Sequence, residues 1–76
     1  MTARLYVDFN NREEDGRIRM NLPATKKDMR KHQVTRDYTW GLEIIVHDTE
    51  IESRALLERG CGDQWFARLI GKVEEL

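Results

Sequence analysis

The sequence of 76 residues is long enough for one small domain, and its apolar content of 39% supports one core of limited size. Its 13 basic and 14 acidic residues nearly cancel, which argues against a dedicated nucleic-acid or anionic-membrane binder, since such proteins usually carry a large positive excess. No run approaches the roughly 20 apolar residues of a membrane span, and residues 1–10 lack the apolar region of a secretory signal. Cys61 is the only cysteine, which excludes a disulfide or a cysteine-based zinc site within one chain. We therefore expect one cytoplasmic, β-rich domain over residues 1–76.

Two alternating runs open the chain. Residues 4–9, RLYVDF, and residues 17–22, RIRMNL, both have the period of two that is typical of half-buried strands. The polar residues 10–16 between them end in Asp15-Gly16, a pair that favours a hairpin connection. We predict that the two strands pair antiparallel. Their predicted inward side chains are Leu5, Val7, Phe9, Ile18, Met20 and Leu22.

A short helix is predicted next. Pro23 ends the second strand. Thr25 and Asp28 have the spacing of a capping box, which predicts a helix over about residues 26–33. Met29 is its one clear apolar anchor, so we expect the helix to be docked on the core at a single point.

Three further strands follow. Residues 42–46 and 51–58 alternate around a tight corner at residues 48–50, and residues 64–70 form a fifth strand after a turn at residues 60–62. The fifth strand is apolar on both faces, which indicates that it is covered from both sides. The predicted inward side chains are Leu42, Ile44, Val46, Ile51, Ser53, Ala55, Leu57, Trp65, Ala67 and Leu69. The tail at residues 71–76 is either a short last strand or a frayed end.

The predicted fold class is mainly β: a small antiparallel five-stranded barrel, or a strongly bent SH3-like sheet, with one short helix between strands two and three. We favour the barrel because closing the sheet hides the edges of its outer strands. An open sheet with the helix packed across one face is the alternative. A core of this size contributes only about 3–5 kcal/mol, so self-association is an available source of further stability.

The strand pattern also carries a resemblance. Residues 41–58, GLEIIVHDTEIESRALLE, followed by WFAR at residues 65–68, resemble the central hairpin and following strand of SH3-like small barrels. Residues 4–11, RLYVDFNN, together with this hairpin are similar to small bacterial proteins of unassigned function. The resemblance implies a binding or scaffold module rather than an enzyme, and it identifies no functional residue.

One segment is strongly basic. Between residues 17 and 36 lie seven cations and one acid, whereas residues 41–58 hold five acids and one base. The cations are Arg17, Arg19, Lys26, Lys27, Arg30, Lys31 and Arg36. Tyr38 and Trp40 follow the basic run and could stack on the bases of a single strand. The alternatives are a solvated charged face, or a positive face of one copy that meets the negative face of another.

No residue pattern indicates catalysis or a bound cofactor. His47 and Asp48 are neighbours at a strand end and therefore point to opposite faces, and His32 is not at metal-ligand spacing from them. Cys61 lies between two glycines, a pattern that is typical of a turn and does not indicate a nucleophile. The acidic run at residues 13–15 lies in a predicted exposed turn and offers no buried carboxyl for acid–base work. We therefore predict a non-enzymatic chain with no metal site and no cofactor.

Large apolar side chains outside the inward register supply the functional prediction. Tyr6, Phe66 and Ile70 fall on the outer face of their strands, and Trp40 lies in a loop. An exposed patch of such residues marks an interface; the alternative is that the helix and the tail cover them. We predict a module that binds a protein partner, or a second copy of itself, through these four residues. The alternative function is an accessory nucleic-acid binder that uses Lys26, Lys27, Arg30, Lys31, Arg36, Tyr38 and Trp40.

Overall fold

One curled sheet and one short helix form the part of the chain that this computed structural model describes, residues 2–36, 38 and 41–76. The elements are β1 (Arg4–Tyr6), β2 (Ile18–Arg19), α1 (Pro23–Lys31), β3 (Glu43–His47), β4 (Ile51–Arg59), β5 (Trp65–Leu69) and β6 (Glu74–Glu75). The predicted class is confirmed: the fold is mainly β, with a sheet that curls into a half-barrel and a single helix between β2 and β3.

The strand order within the sheet is β1-β3-β4-β5-β2. β3, β4 and β5 form the antiparallel meander that the alternation predicts. After β5 the tail forms β6, which pairs with the first residues of β4, so the last-strand alternative is the one observed. As a result β4, the longest strand, pairs with β5 along one part of its length and with β6 along another.

The predicted hairpin between the first two strands is wrong. β1 pairs with β3, in parallel, while β2 lies at the far end of the sheet beside β5. The turn at Asp15-Gly16 does form, with Gly16 at a φ of 92°, but its first arm is residues 11–13: Glu13 N donates to Arg17 O at 2.8 Å. Asp8 separates that arm from β1, because its carboxylate accepts from Asn10 N at 2.9 Å and turns the chain.

The helix begins earlier than predicted and is capped differently. It starts at Pro23, a residue that suits the first helical position because it has no N–H to leave unpaired. The residue before it, Leu22, makes no side-chain capping hydrogen bond. Thr25 lies inside the helix and is fully buried, so the predicted capping box is wrong.

Thr25 and Asp28 instead bind the edge of the sheet. The Thr25 hydroxyl donates to the carbonyl oxygen of Tyr6 at 2.6 Å, and Tyr6 N donates to the Asp28 carboxylate at 2.9 Å. These two backbone groups of β1 point away from β3, which is bonded through Val7 N and Ala3 O. The helix therefore satisfies the open edge of β1, which would otherwise offer unpaired groups to another strand.

The core follows the predicted alternation. Most predicted inward side chains, together with the helix anchor, are buried: Leu5, Val7, Phe9, Ile18, Met20, Met29, Ile44, Val46, Ser53, Ala55, Leu57 and Ala67. Leu42, Ile51, Trp65 and Leu69 are partly buried and pack against this cluster. Val34, just after the helix, is a further buried residue and gives the helix a second apolar contact that periodicity alone does not indicate.

The corner between β3 and β4 contains a strained residue. The Asp48 carboxylate accepts from Glu50 N and Ile51 N, each at 3.0 Å, and Thr49 has a φ of 86°. A β-branched side chain is disfavoured at positive φ, whereas glycine adopts it freely.

Replacing Thr49 with glycine should therefore relieve about 0.5–1 kcal/mol of backbone strain and raise the free energy of unfolding. The greater entropy of glycine in the unfolded chain offsets part of this gain. The midpoint of urea unfolding measures this change. Glu50→Gly is the matched control in the same turn, because Glu50 is outside the positive-φ residues and should lose stability on substitution. A lower midpoint for Thr49→Gly would contradict the assignment of strain.

Removing the Asp28 carboxylate should leave Tyr6 N without its partner. We expect Asp28→Ala to lower the free energy of unfolding by about 1–2 kcal/mol, again measured by urea. Lys27→Ala, an exposed substitution in the same helix, should change it by less than about 0.5 kcal/mol. Equal effects of the two substitutions would show that the bond to Tyr6 contributes nothing.

Candidate functional site

Two of the predicted interface residues, Tyr6 and Phe66, lie on well-separated strands. Tyr6 on β1 and Phe66 on β5 both lie on the outer face of the sheet, but β3 and β4 separate their strands, a distance of about 14 Å. Tyr6 is half-buried, with its ring edge-on to His47 at 6.1 Å. Ile70 is 41% exposed, and Trp40 lies outside the described residues.

The Phe66 side chain is covered by its neighbours rather than exposed to solvent. Its ring is only 6% exposed. The guanidinium of Arg17 lies 4.3 Å from the ring centroid, and a β-carbon added to Gly60 would approach the ring to 2.6 Å. The ring is therefore in contact with both a cation and the Gly60 backbone, so the outer face of β5 is covered at Phe66, while Ala67 on the inner face is buried in the core.

Ion pairs engage Arg17, which precedes β2, together with the cations of β2 and β5. Arg17 Nε lies 2.8 Å from Asp15, Arg19 lies 2.8 Å from Glu13, and Arg68 Nε lies 2.7 Å from Glu58. The hydrogen bond from Arg68 holds the pKa of Glu58 below its ordinary value of 4.5, although partial burial of the carboxyl opposes the shift. Two of the seven cations in the basic segment, Arg17 and Arg19, are thus committed to the sheet.

The four cations of α1 differ from those of the sheet. Lys26, Lys27, Arg30 and Lys31 are all exposed, and the described part of the chain places no carboxylate within ion-pair distance of them. Arg36, beyond the helix, is also exposed. Because Thr25, Asp28 and Met29 face the sheet, the spacing of 100° per residue places Lys26 and Arg30 on one flank of the helix and Lys27 and Lys31 on the opposite flank.

A groove lies beside that flank. Two adjoining depressions of about 240 and 370 Å³ share four residues of their lining. We call this surface the helix groove and define it by Met20, Lys26, Met29, Arg30, Asp63 and Trp65. Lys26 and Arg30 line the groove from the helix, Trp65 gives it an apolar floor, and Asp63 adds one negative charge.

Trp65 is a groove residue that the sequence pattern assigns to the interior but that remains partly exposed. It occupies the inward register, but it is the first residue of β5, at the rim of the half-barrel, and is only partly buried. The Tyr38 ring meets it edge-on at 5.0 Å, and the Arg59 guanidinium lies 5.7 Å from its centroid. The structure thus joins Tyr38, Lys26 and Arg30 of the predicted nucleic-acid set to a tryptophan outside that set.

The other candidate residues have local structural roles. Asp48 accepts the backbone hydrogen bonds of its turn, and those bonds lower its pKa. His47 packs against Tyr6, His32 is the exposed residue that ends the helix, and Cys61 is exposed in a turn. Among residues 2–36, 38 and 41–76, no three His, Cys, Asp or Glu side chains are grouped to hold a metal ion.

Comparison with protein-family models, with curated proteins and with solved structures gave no match. No helix in the described ranges has the length and apolar character needed to cross a bilayer.

The Glu58 pair predicts how acid affects stability. Because the pKa of Glu58 is lower in the folded chain than its ordinary value of 4.5, the pair stabilises the fold above that pH and the contribution is lost as the pH falls through the folded value. Glu58→Gln should therefore lower the urea midpoint at a pH of about 6 and flatten its fall toward a pH of about 3. Glu43→Gln, an exposed carboxyl on the same outer face, is the control. An unchanged acid profile for Glu58→Gln would contradict the role of the pair.

Proposed function

We propose that this chain is a non-enzymatic interaction module that binds a protein partner through the helix groove. The partner supplies an acidic segment that carries an apolar side chain. The observation that supports this function is the position of two cations, Lys26 and Arg30, beside the partly exposed ring of Trp65.

The proposed partner follows from the chemistry of the groove walls. Arginine and tryptophan are the side chains that most often dominate binding energy at protein interfaces. The cations of α1 attract carboxylates and speed the encounter, while the tryptophan floor accepts an apolar side chain. Met20 and Met29, both buried in the core, support this floor from below.

The surface predicted from Tyr6, Phe66, Ile70 and Trp40 is less suited to this function. Arg17 covers the Phe66 ring, and Tyr6 is bound to the helix through both backbone groups. A partner on the Phe66 ring would have to displace Arg17, whereas the described residues leave the helix groove open.

Single-stranded nucleic acid is the second candidate ligand, favoured by the position of Trp65 and Tyr38 next to Lys26 and Arg30. The net charge of −1 and the carboxylate of Asp63 in the groove both work against a polyanion. For this reason we place the protein partner first.

We also propose that the chain acts in the cytoplasm and is a relative of the SH3-like small barrels. The cysteine usage of the sequence supports the location. The curled sheet of short strands supports the relationship, while the helix between β2 and β3 departs from a minimal SH3-like order.

Fluorescence anisotropy tests the proposed function with two labelled probes: a pentapeptide in which glutamates flank one leucine, and an oligothymidine of similar length. The peptide should bind the full chain. Lys26→Gln with Arg30→Gln should weaken it about tenfold, since two exposed charge contacts are worth roughly 1–1.5 kcal/mol together. Asp63→Asn should tighten it, because this change removes the opposing charge.

Lys27→Gln with Lys31→Gln is the matched control: the same helix, the same charge loss and the same spacing, but away from the groove. Equal weakening by both pairs would show a diffuse charge effect and contradict the groove. A peptide with serine in place of leucine should bind more weakly; equal binding would contradict the apolar contact. Tighter binding of oligothymidine, falling steeply with salt, would establish the second candidate instead.

A further inference from the structure

We infer that the acidic segment which fills the helix groove is supplied by a second copy of this chain, through residues 73–76. This inference rests on the proposed function and names its partner. We call residues Val73–Leu76, VEEL, the tail segment.

The tail segment has the chemistry that the groove selects. Leu76 is 61% exposed and Val73 is 44% exposed, the two highest values among the large apolar side chains in the described ranges. Glu74 and Glu75 lie between them, both exposed, and neither joins an ion pair with another described residue. The segment therefore carries carboxylates and apolar side chains, the two kinds of group that Lys26, Arg30 and Trp65 complement.

The backbone of the tail segment is also ordered before any contact with a partner. Its backbone pairs with β4 at Glu52↔Glu74 and Ile51↔Glu75, and Leu76 N donates to Glu50 O at 2.9 Å. Alternation along β6 places the side chains of Glu74 and Leu76 on one face. A backbone that is already ordered loses little further entropy on binding.

The contact must join different copies. The register of the sheet pairs Ile51 with Glu75 and Arg59 with Trp65. Positions 51 and 59 are the first and last residues of β4, so the tail segment and the groove floor lie about 27 Å apart along that strand. The segment cannot reach the groove of its own chain while β6 stays paired.

A tail-to-groove contact is heterologous, because each copy offers one tail segment and one groove. Association then continues into rings or open chains rather than stopping at a symmetric pair. The groove is small, so the contact belongs with weak interfaces that bury less than about 1,200 Å². It should form at high protein concentration and weaken as salt screens the charges.

Analytical ultracentrifugation of the full chain tests this inference, from about 10 μM to about 1 mM protein, the range expected of a weak interface. The average mass should rise with concentration. It should stay near that of the monomer, 9.0 kDa, for a groove variant, Lys26→Gln with Arg30→Gln, and for a tail variant, Glu74→Gln with Glu75→Gln. The control pairs, Lys27→Gln with Lys31→Gln and Glu14→Gln with Glu43→Gln, should associate like the parent chain.

Mixing the two variants is the decisive experiment. The groove variant keeps an intact tail segment and the tail variant keeps an intact groove, so an equimolar mixture should form a 1:1 complex and grow no further. An amidated peptide of residues 71–76 should compete with that complex. Failure of the mixture to associate, or a symmetric dimer that both variants retain, would overturn the inference.

The same experiments separate this inference from the proposed function. A chain that stays monomeric at every concentration but still binds the labelled acidic peptide would refute the tail segment as ligand and leave the proposed function standing. Loss of peptide binding by the unmodified chain would refute both.

Discussion

The two hydrogen bonds between α1 and Tyr6 are the constraint on which the arrangement depends. A parallel β1 at the border of the sheet leaves the N–H and the carbonyl of Tyr6 facing outward, and Asp28 and Thr25 satisfy both. Once these side chains face the sheet, helical geometry fixes the rest: Met29 enters the core and Lys26 and Arg30 turn toward Trp65. The bonds that close the edge therefore also orient the cations of the groove.

The sequence predicts the features of the fold that depend on local pattern, but it does not predict which strands pair with each other. Alternation correctly identifies the inward side chains of residues 4–9, because Leu5, Val7 and Phe9 are buried whichever strand lies alongside. It carries no information on that neighbour, so the parallel pairing with β3 was missed. The spacing of Thr25 and Asp28 was recognised as a hydrogen-bonding pattern, but their partner is a backbone distant in sequence rather than the first turn of the helix.

The candidate site divides in the same way. The cations of α1 were found from composition, because an exposed helix flank needs no tertiary contact to be recognised. The expected exposures of Phe66 and Trp65 are reversed in the structure. Phe66 lies on the outer face but is covered by Arg17, whereas Trp65 is in the inward register but lies at the rim of the half-barrel. Register gives the side of the sheet on which a ring lies, but its exposure depends on what crosses above it and on how near it stands to the end of a strand.

The near-neutral charge of the chain conceals a separation of charge that the length of β4 sets. Glu50, Glu74 and Glu75 gather where β4 begins, and Lys26 and Arg30 lie beside Trp65, which pairs with the last residue of β4. Opposite charges at the two ends of a rigid strand cannot neutralise each other within one molecule. They can do so between molecules aligned end to end, and each such contact also covers apolar side chains that a core of this size leaves in water. The proposed contact with a second copy would thus offset the same shortage of interior that limits the stability of one copy.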